Sequence, residues 1–119
     1  VNIGRPGATH KRHRHNNNFL SGTYYAHAPA GANAIAFFDP RTEQGLLCPQ
    51  PARLTQHNAG KVTLSVEPGE LLLWQSWFRH EVPPNDSGED RYTASFNVMF
   101  SRVTELHSPP MIQKVVDQL

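Results

Sequence analysis

Proline and glycine recur along almost the whole chain, with ten prolines and eight glycines among 119 residues. Proline removes a backbone donor and clashes inside a helix, and glycine weakens a helix interior, so this spacing disfavours long helices. Between the breaks lie short alternating or apolar runs at intervals of roughly ten residues, which is typical of a β-sandwich or barrel. The sequence therefore predicts an all-β fold.

Seven runs have the composition of strands. They cover residues 1–8, 9–15, 20–28, 34–38, 61–66, 71–78 and 91–102. The run 71–78 is almost continuously apolar, which predicts a strand buried on both faces. Residues 41–59 show no clear period and are predicted to form a long loop. After Pro109 and Pro110, residues 111–119 are predicted to form a short amphipathic helix.

Length and charge exclude several classes of protein. A chain of 119 residues suits one domain, which we expect to span residues 1–119. It begins at Val1 in what resembles the middle of a strand, so we expect a natural N-terminal extension to be missing. No apolar run reaches about 18 residues, which excludes a membrane-spanning helix. A formal net charge of +1 argues against nucleic-acid binding driven by bulk charge.

Cysteine usage bears on the cellular compartment. Cys48 is the single cysteine, which excludes an internal disulfide framework and a cysteine-rich zinc site. No basic-then-apolar signal segment opens the chain. We expect a cytoplasmic protein.

The last predicted strand separates polar from apolar residues by strict alternation. Arg91, Thr93, Ser95 and Asn97 fall on one face, and Tyr92, Ala94, Phe96, Val98 and Phe100 fall on the other. Either the apolar face packs on the core and the polar face meets water, or the polar face lines a cavity inside a barrel. The strand alone leaves both interpretations open.

Histidine is concentrated near the start of the chain, where three of the seven fall between positions 10 and 15. His13 and His15 point to the same side of a strand, about 6–7 Å apart at the backbone, so both can bind one ion. The alternative is a solvated basic segment, because Lys11 and Arg14 lie among these histidines.

His80 and Arg91 extend this pair into an ordered set. Imidazole suits iron, zinc, copper and nickel, and three protein ligands on one side of a metal leave its other side open for a bidentate acid and for oxygen. A guanidinium deeper in a barrel can clamp the far carboxylate of a dicarboxylic co-substrate through two parallel hydrogen bonds. The sequence thus favours the cavity interpretation of the last strand.

These residues resemble the 2-oxoglutarate- and Fe(II)-dependent dioxygenases, specifically the prolyl-hydroxylase-like branch and a small family of dioxygenases from bacteria and phages. The matching motifs, in chain order, are His13-Arg14-His15, Ser21-Gly22-Thr23-Tyr24-Tyr25, Phe37-Phe38-Asp39-Pro40-Arg41, Pro68-Gly69-Glu70-Leu71, His80-Glu81-Val82 and Arg91 to Asn97. The resemblance covers about residues 7–100. It implies a double-stranded β-helix, that is a jelly roll or cupin-like barrel, which the predicted C-terminal helix follows.

The resemblance also implies roles for individual residues. His13, His15 and His80 would bind Fe(II), and Arg91 would bind the distal carboxylate of 2-oxoglutarate. Tyr25 could donate its hydroxyl to that co-substrate or be an ordinary core tyrosine. Ser95 and Asn97 would line the wall near Arg91 or make structural hydrogen bonds. His15 stands where the broader superfamily has a carboxylate, so the bound acid must supply the negative charge.

The function implied is hydroxylation of an unidentified prime substrate with 2-oxoglutarate and O2. The alternatives are a metal-binding cupin, which has no specific use for Arg91, and a non-catalytic structural β-domain. The resemblance places the apolar face of strand 91–102 outside the barrel, where it needs a cover, so we expect a homo-oligomer formed through that face. We expect no membrane partner and no nucleic-acid partner.

Overall fold

The computed structural model describes residues 1–41 and 49–99, which contain eight strands and no helix. The strands are β1 (Asn2–Gly4), β2 (His10–His13), β3 (Leu20–His27), β4 (Ala34–Phe38), β5 (Lys61–Ser65), β6 (Leu71–Gln75), β7 (His80–Val82) and β8 (Arg91–Val98). The predicted all-β class is confirmed. The helix predicted for residues 111–119 and Cys48 lie outside the described residues.

The strands form two four-stranded sheets in which every neighbouring pair is antiparallel. Sheet 1 has the order β1-β8-β3-β6, and sheet 2 has the order β2-β7-β4-β5. Eight antiparallel strands divided between two facing sheets are the arrangement of a jelly roll. Because β2 lies in sheet 2 and β8 in sheet 1, the histidine-rich strand and the arginine-bearing strand belong to opposite walls.

A small hydrophobic core joins the two sheets at one end. Its buried members are Tyr25, Ala28, Ile35 and Val66, against which Phe37, Leu72 and Trp74 pack. Tyr25, Leu72 and Trp74 come from sheet 1, whereas Ile35 and Phe37 come from sheet 2. Side chains from both inner faces therefore set the separation of the walls.

Strand β8 directs its polar face into the space between the sheets. Ser95 pairs with Thr23 of β3 and Asn97 pairs with Ser21, which places four hydroxyl or amide side chains on one inner surface. The cavity interpretation of this strand, rather than the half-buried one, matches the structure.

The outward side of sheet 1 is apolar and exposed. This outer face consists of Ile3, Tyr24, Leu71, Leu73, Tyr92, Phe96 and Val98. The expectation that residues 71–78 form a strand buried on both faces is wrong: β6 ends at Gln75, and Leu71 and Leu73 are exposed. Gly22 lies beneath this face, where an added Cβ would stand 2.5 Å from Phe96 and 2.7 Å from Leu73.

The loop predicted for residues 41–59 is described at residue 41 and from residue 49 onward, and these described residues contain no strand. Over the two described ranges, no helix is long and apolar enough to cross a membrane.

Candidate metal and co-substrate site

Three imidazoles meet at one end of the space between the sheets. His13 closes β2 and lies opposite His80, the first residue of β7. The backbone N–H of His15 donates to the carbonyl of Ser76 at 3.0 Å, which ties the chain after β2 to the end of sheet 1. One potential ligand atom from each of His13, His15 and His80 lies within 4.8 Å of the other two.

Backbone carbonyls orient two of these rings. His80 Nδ1 lies 3.0 Å from the carbonyl oxygen of Phe78, and His13 Nδ1 lies 2.7 Å from that of Lys11. A carbonyl only accepts, so Nδ1 must be the donor in both rings. In a neutral ring this leaves the Nε2 lone pair free, and a carbonyl bonded to the second nitrogen is the usual arrangement around metal-binding histidines.

Burial favours the uncharged form of two of the three imidazoles. His80 is 3% exposed, and this burial lowers its pKa. The hydrogen bond to the Phe78 carbonyl raises the pKa, whereas the charges of the neighbouring histidines lower it further. Burial, followed by the charge of His13, lowers the pKa of His15 as well. Metal binding requires neutral imidazole, so both shifts favour the ligating state.

A cavity of about 240 Å³ extends from the histidines across to sheet 1. Its lining includes His10, His13, His15 and His80 from the sheet 2 side, and Tyr25, Trp74, Arg91, Thr93, Ser95 and Asn97 from sheet 1. No aspartate or glutamate is among the described residues that line it. A small cavity with cationic and neutral walls suits a small anion.

Arg91 is the charged group of this cavity. It is 5% exposed, and the single hydrogen bond found for its guanidinium among the described residues runs from Nη1 to the carbonyl of Ala32 at 3.4 Å. None of the ion pairs within residues 1–41 and 49–99 involves it. Burial lowers its pKa. A buried charge without a counter-ion is costly, so Arg91 is complementary to a ligand carboxylate.

Tyr25 stands beside Arg91 on the inner surface of sheet 1. Its phenol is almost fully buried, and burial raises its pKa to about 12, although the charge of Arg91 acts in the opposite direction. The hydroxyl therefore keeps its proton at neutral pH and can act as a hydrogen-bond donor.

Ser95 and Asn97 also line the cavity, and both are held by neighbours on β3. The Ser95 hydroxyl lies 3.0 Å from that of Thr23, and the Ser21 hydroxyl donates to Asn97 Oδ1 at 2.7 Å. The structure thus brings all seven sequence-predicted site residues to the walls of one cavity.

Two residues of the site were not predicted from the sequence. Gly4 of β1 pairs with Arg91, and an added Cβ there would stand 3.1 Å from Nη2, so the glycine leaves room for the guanidinium. Trp74 packs against the core and also lines the cavity, and its ring lies edge-on to that of His80 with the ring centroids 4.9 Å apart. Its indole N–H is buried without a partner in the described structure. The sequence signal that could have indicated Gly4 is its position inside a predicted strand, where a glycine often marks the close approach of another group.

Comparison with known protein families shows to which family the chain belongs. A family model described as "Putative 2OG-Fe(II) oxygenase" matches residues 1–97. The chain belongs to this oxygenase family. No match is found among curated protein sequences.

A solved structure similar to this oxygenase is a prolyl-4-hydroxylase from Pseudomonas putida. The TM-score is 0.54 at 20% sequence identity, and the match covers 83% of this chain and 50% of the hydroxylase. The chain therefore spans about half the length of that protein. The likeness confirms the predicted double-stranded β-helix fold.

The oxygenase family implies Fe(II) and 2-oxoglutarate, and the residues present fit both. Imidazole nitrogen is a good donor for Fe(II), and three such donors converge. Because all three are uncharged ligands, the protein leaves the charge of the ion uncompensated. A dianionic co-substrate would balance that charge and also satisfy Arg91.

Proposed function

We propose that this chain is the catalytic core of a non-haem Fe(II)- and 2-oxoglutarate-dependent dioxygenase that hydroxylates a prime substrate not yet identified. The observation that carries the proposal is the unneutralised, buried guanidinium of Arg91 in the same cavity as the three converging histidines. A metal site alone has no use for that charge, whereas a dicarboxylic co-substrate uses the metal and the guanidinium together.

In this proposal His13, His15 and His80 hold Fe(II), which supplies the O2 chemistry when bound. Arg91 pairs with the distal carboxylate of 2-oxoglutarate, and the protonated phenol of Tyr25 donates a hydrogen bond to the co-substrate. Ser95 and Asn97 stay predicted to line the adjoining wall. The protein's part is to bind and orient the co-substrate and to exclude water.

Anaerobic titration with Fe(II) and then 2-oxoglutarate tests the proposal through the visible charge-transfer absorption of a metal-bound 2-oxo acid. We expect the absorption in the wild type, its loss in His80→Ala and its weakening in Arg91→Gln. Arg5→Gln is the matched control, because Arg5 is exposed and lies outside the cavity lining.

The same titration separates the alternatives. Metal uptake without the absorption would favour the cupin-like or structural interpretation, since neither requires a co-substrate on Arg91. Failure to take up metal would contradict the assignment of His13, His15 and His80 as a metal site.

We further propose that a second copy of this chain covers the outer face of sheet 1. Phe96 is 42% exposed and Tyr92 is 40% exposed, although both are large apolar residues in the middle of a sheet. Contiguous exposed apolar surface of this kind marks an association site. Light scattering that gives a monomer mass at micromolar concentration would contradict this homo-oligomer.

We propose a cytoplasmic location, which the single cysteine supports because it cannot form a disulfide within the chain. The proposed partners are 2-oxoglutarate, O2 and the prime substrate, and nucleic acid is not among them.

A further inference from the structure

Two buried serines hold the side-chain amide of Asn97. The hydroxyls of Ser21 and Ser76 lie 2.8 Å apart, and Ser21 Oγ lies 2.7 Å from Asn97 Oδ1. Ser21 is 2% exposed and Ser76 is fully buried, so water cannot replace either partner. The three side chains form a short chain of hydrogen bonds that ends at the cavity wall.

The number of available protons fixes the orientation of this amide. With Oδ1 toward Ser21, the Ser21 hydroxyl donates to Asn97 and the Ser76 hydroxyl donates to Ser21, so every hydroxyl proton is used. With the amide reversed, Asn97 would donate to Ser21 and Ser21 to Ser76, which would leave the Ser76 proton buried without an acceptor. A buried hydroxyl proton without an acceptor is unfavourable. The network therefore holds Oδ1 inward and leaves the two Nδ2 protons as the free donors.

Burial along β8 shows which end of the cavity Asn97 occupies. The inward residues Arg91 and Thr93 are buried, whereas Ser95 and Asn97 are exposed. The cavity is thus closed at Arg91 and open at Asn97. Ser76 holds the Asn97 amide through Ser21, and its backbone carbonyl accepts a hydrogen bond from the backbone N–H of His15, a candidate metal ligand. Asn97 accordingly lies at the open end, on the side of the histidines.

We propose that the Asn97 amide donates a hydrogen bond to a carbonyl-type oxygen of the prime substrate, so that the substrate class is one that carries an amide or carboxyl oxygen. The inference rests on the proposed function. A co-substrate clamped by Arg91 occupies the closed end, so the molecule that approaches through the open end meets Asn97. No described residue accepts a hydrogen bond from Asn97 Nδ2.

Nuclear magnetic resonance tests this assignment without turnover. Protein labelled with ¹⁵N is loaded with Zn²⁺, saturated with 2-oxoglutarate and titrated with N-methylacetamide as a probe with an amide oxygen. The readout is the pair of side-chain N–H signals of Asn97, assigned by correlation to its backbone and by their loss in Asn97→Asp. Asn58 is the internal reference, because its Nδ2 donates to the carbonyl of Arg53 outside the cavity lining.

We expect N-methylacetamide to shift the Asn97 signals progressively and to leave those of Asn58 in place. N-Methylthioacetamide keeps the same skeleton and is also neutral, but sulfur, a much weaker acceptor, replaces its carbonyl oxygen, and we expect it to cause a several-fold smaller shift. We also expect Asn97→Asp to abolish the probe's effect on the backbone N–H signals of its neighbours on β8.

Either of two results would overturn the inference. The Asn97 signals could fail to respond to the probe, or they could respond to 2-oxoglutarate itself and then no longer to the probe, which would assign the donor to the co-substrate. If Zn²⁺ and 2-oxoglutarate do not bind, the proposed function fails separately. The titration of metal-free protein then still shows whether Asn97 is a donor to an amide oxygen.

Discussion

His13 and His80 lie directly opposite each other across the antiparallel pair β2–β7, with ring centroids 4.4 Å apart. Both rings turn toward the space between the sheets, and a backbone carbonyl fixes Nδ1 of each. The positions of two of the three proposed ligands are therefore set by strand register, and only that of His15 depends on the segment beyond β2.

Replacement of His80 by alanine should abolish tight metal binding. His80→Ala removes one of the three proposed donors, and we expect the affinity for Fe(II), or for Zn²⁺ as a stand-in, to fall by roughly 100-fold or more. Loss of a group that only hydrogen-bonds to a metal ligand already lowers metal affinity by about 10–100-fold, and loss of the ligand itself should lower it further. Isothermal titration calorimetry measures this. His27→Ala is the control, because His27 is partly exposed and pairs with Glu89. Equal losses in the two variants would contradict the assignment.

Gly4→Ala should weaken 2-oxoglutarate binding while metal affinity is retained. The new Cβ would stand 3.1 Å from Arg91 Nη2 and must displace the guanidinium by a few tenths of an ångström. We expect a several-fold loss of co-substrate affinity, measured by the charge-transfer absorption. Gly60→Ala is the matched control, since nothing lies within 4 Å of a Cβ at that position. An unchanged affinity in Gly4→Ala would show that Arg91 tolerates the shift.

The phenol of Tyr25 should titrate far later than an ordinary tyrosine. Its folded-state pKa is raised to about 12 from 10.0, so between these values the unfolded chain loses its proton first. The free energy of unfolding should therefore decrease as pH rises above 10. Ultraviolet titration of the phenolate follows the group itself, and Tyr25→Phe should remove the late step. A late step that persists in that variant would belong to another tyrosine.

The metal-free protein should become less stable as the solution is acidified. The pKa values of His80 and His15 are lowered from 6.5 in the folded state, so below pH 6.5 the unfolded chain takes up protons first. The free energy of unfolding should fall as pH decreases through this range. Urea denaturation at pH 7.5 and pH 5.5 measures the difference, and His80→Gln should reduce it. A pH dependence as large in that variant would point to other groups.

A charged residue on the outer face should dissociate the proposed oligomer. Phe96→Glu places a carboxylate at the centre of that face, where burial against a second copy would be costly. Sedimentation velocity should show a shift toward monomer. Leu54→Glu is the control, because Leu54 is 70% exposed and lies outside sheet 1. Dissociation by both variants would indicate a non-specific effect of added charge.

Local periodicity was enough to predict most strands and to separate the two faces of β8, and the histidines together with Arg91 then indicated which face lies inward. Arg91, Ser95 and Asn97 alternate with apolar residues, and alternation has a direct geometric meaning in a strand. The converging histidines could be proposed because His13 and His15 were predicted to lie on the same side of one strand, although β2 ends at His13 and His15 lies just beyond it.

Other features depend on which strands become neighbours, and sequence spacing does not carry that information. The run 71–78 reads as fully buried, but nothing in an apolar run states whether one face or both are covered, and Leu73 proves to be exposed. Gly4 gains its importance only through its register with Arg91. The serine chain behind Asn97 likewise joins residues far apart in sequence.

The division of the site between two walls has a consequence for ligand length. The imidazoles come from the β2–β7 side and the guanidinium from β8, so a diacid bound as proposed would cross the space between the sheets. That gap is maintained by Ile35 and Val66, buried residues that belong to the core. If the proposed co-substrate site is correct, we expect core packing to influence selectivity between diacids that differ by one methylene, and conservative changes at these two positions to alter which chain length fits.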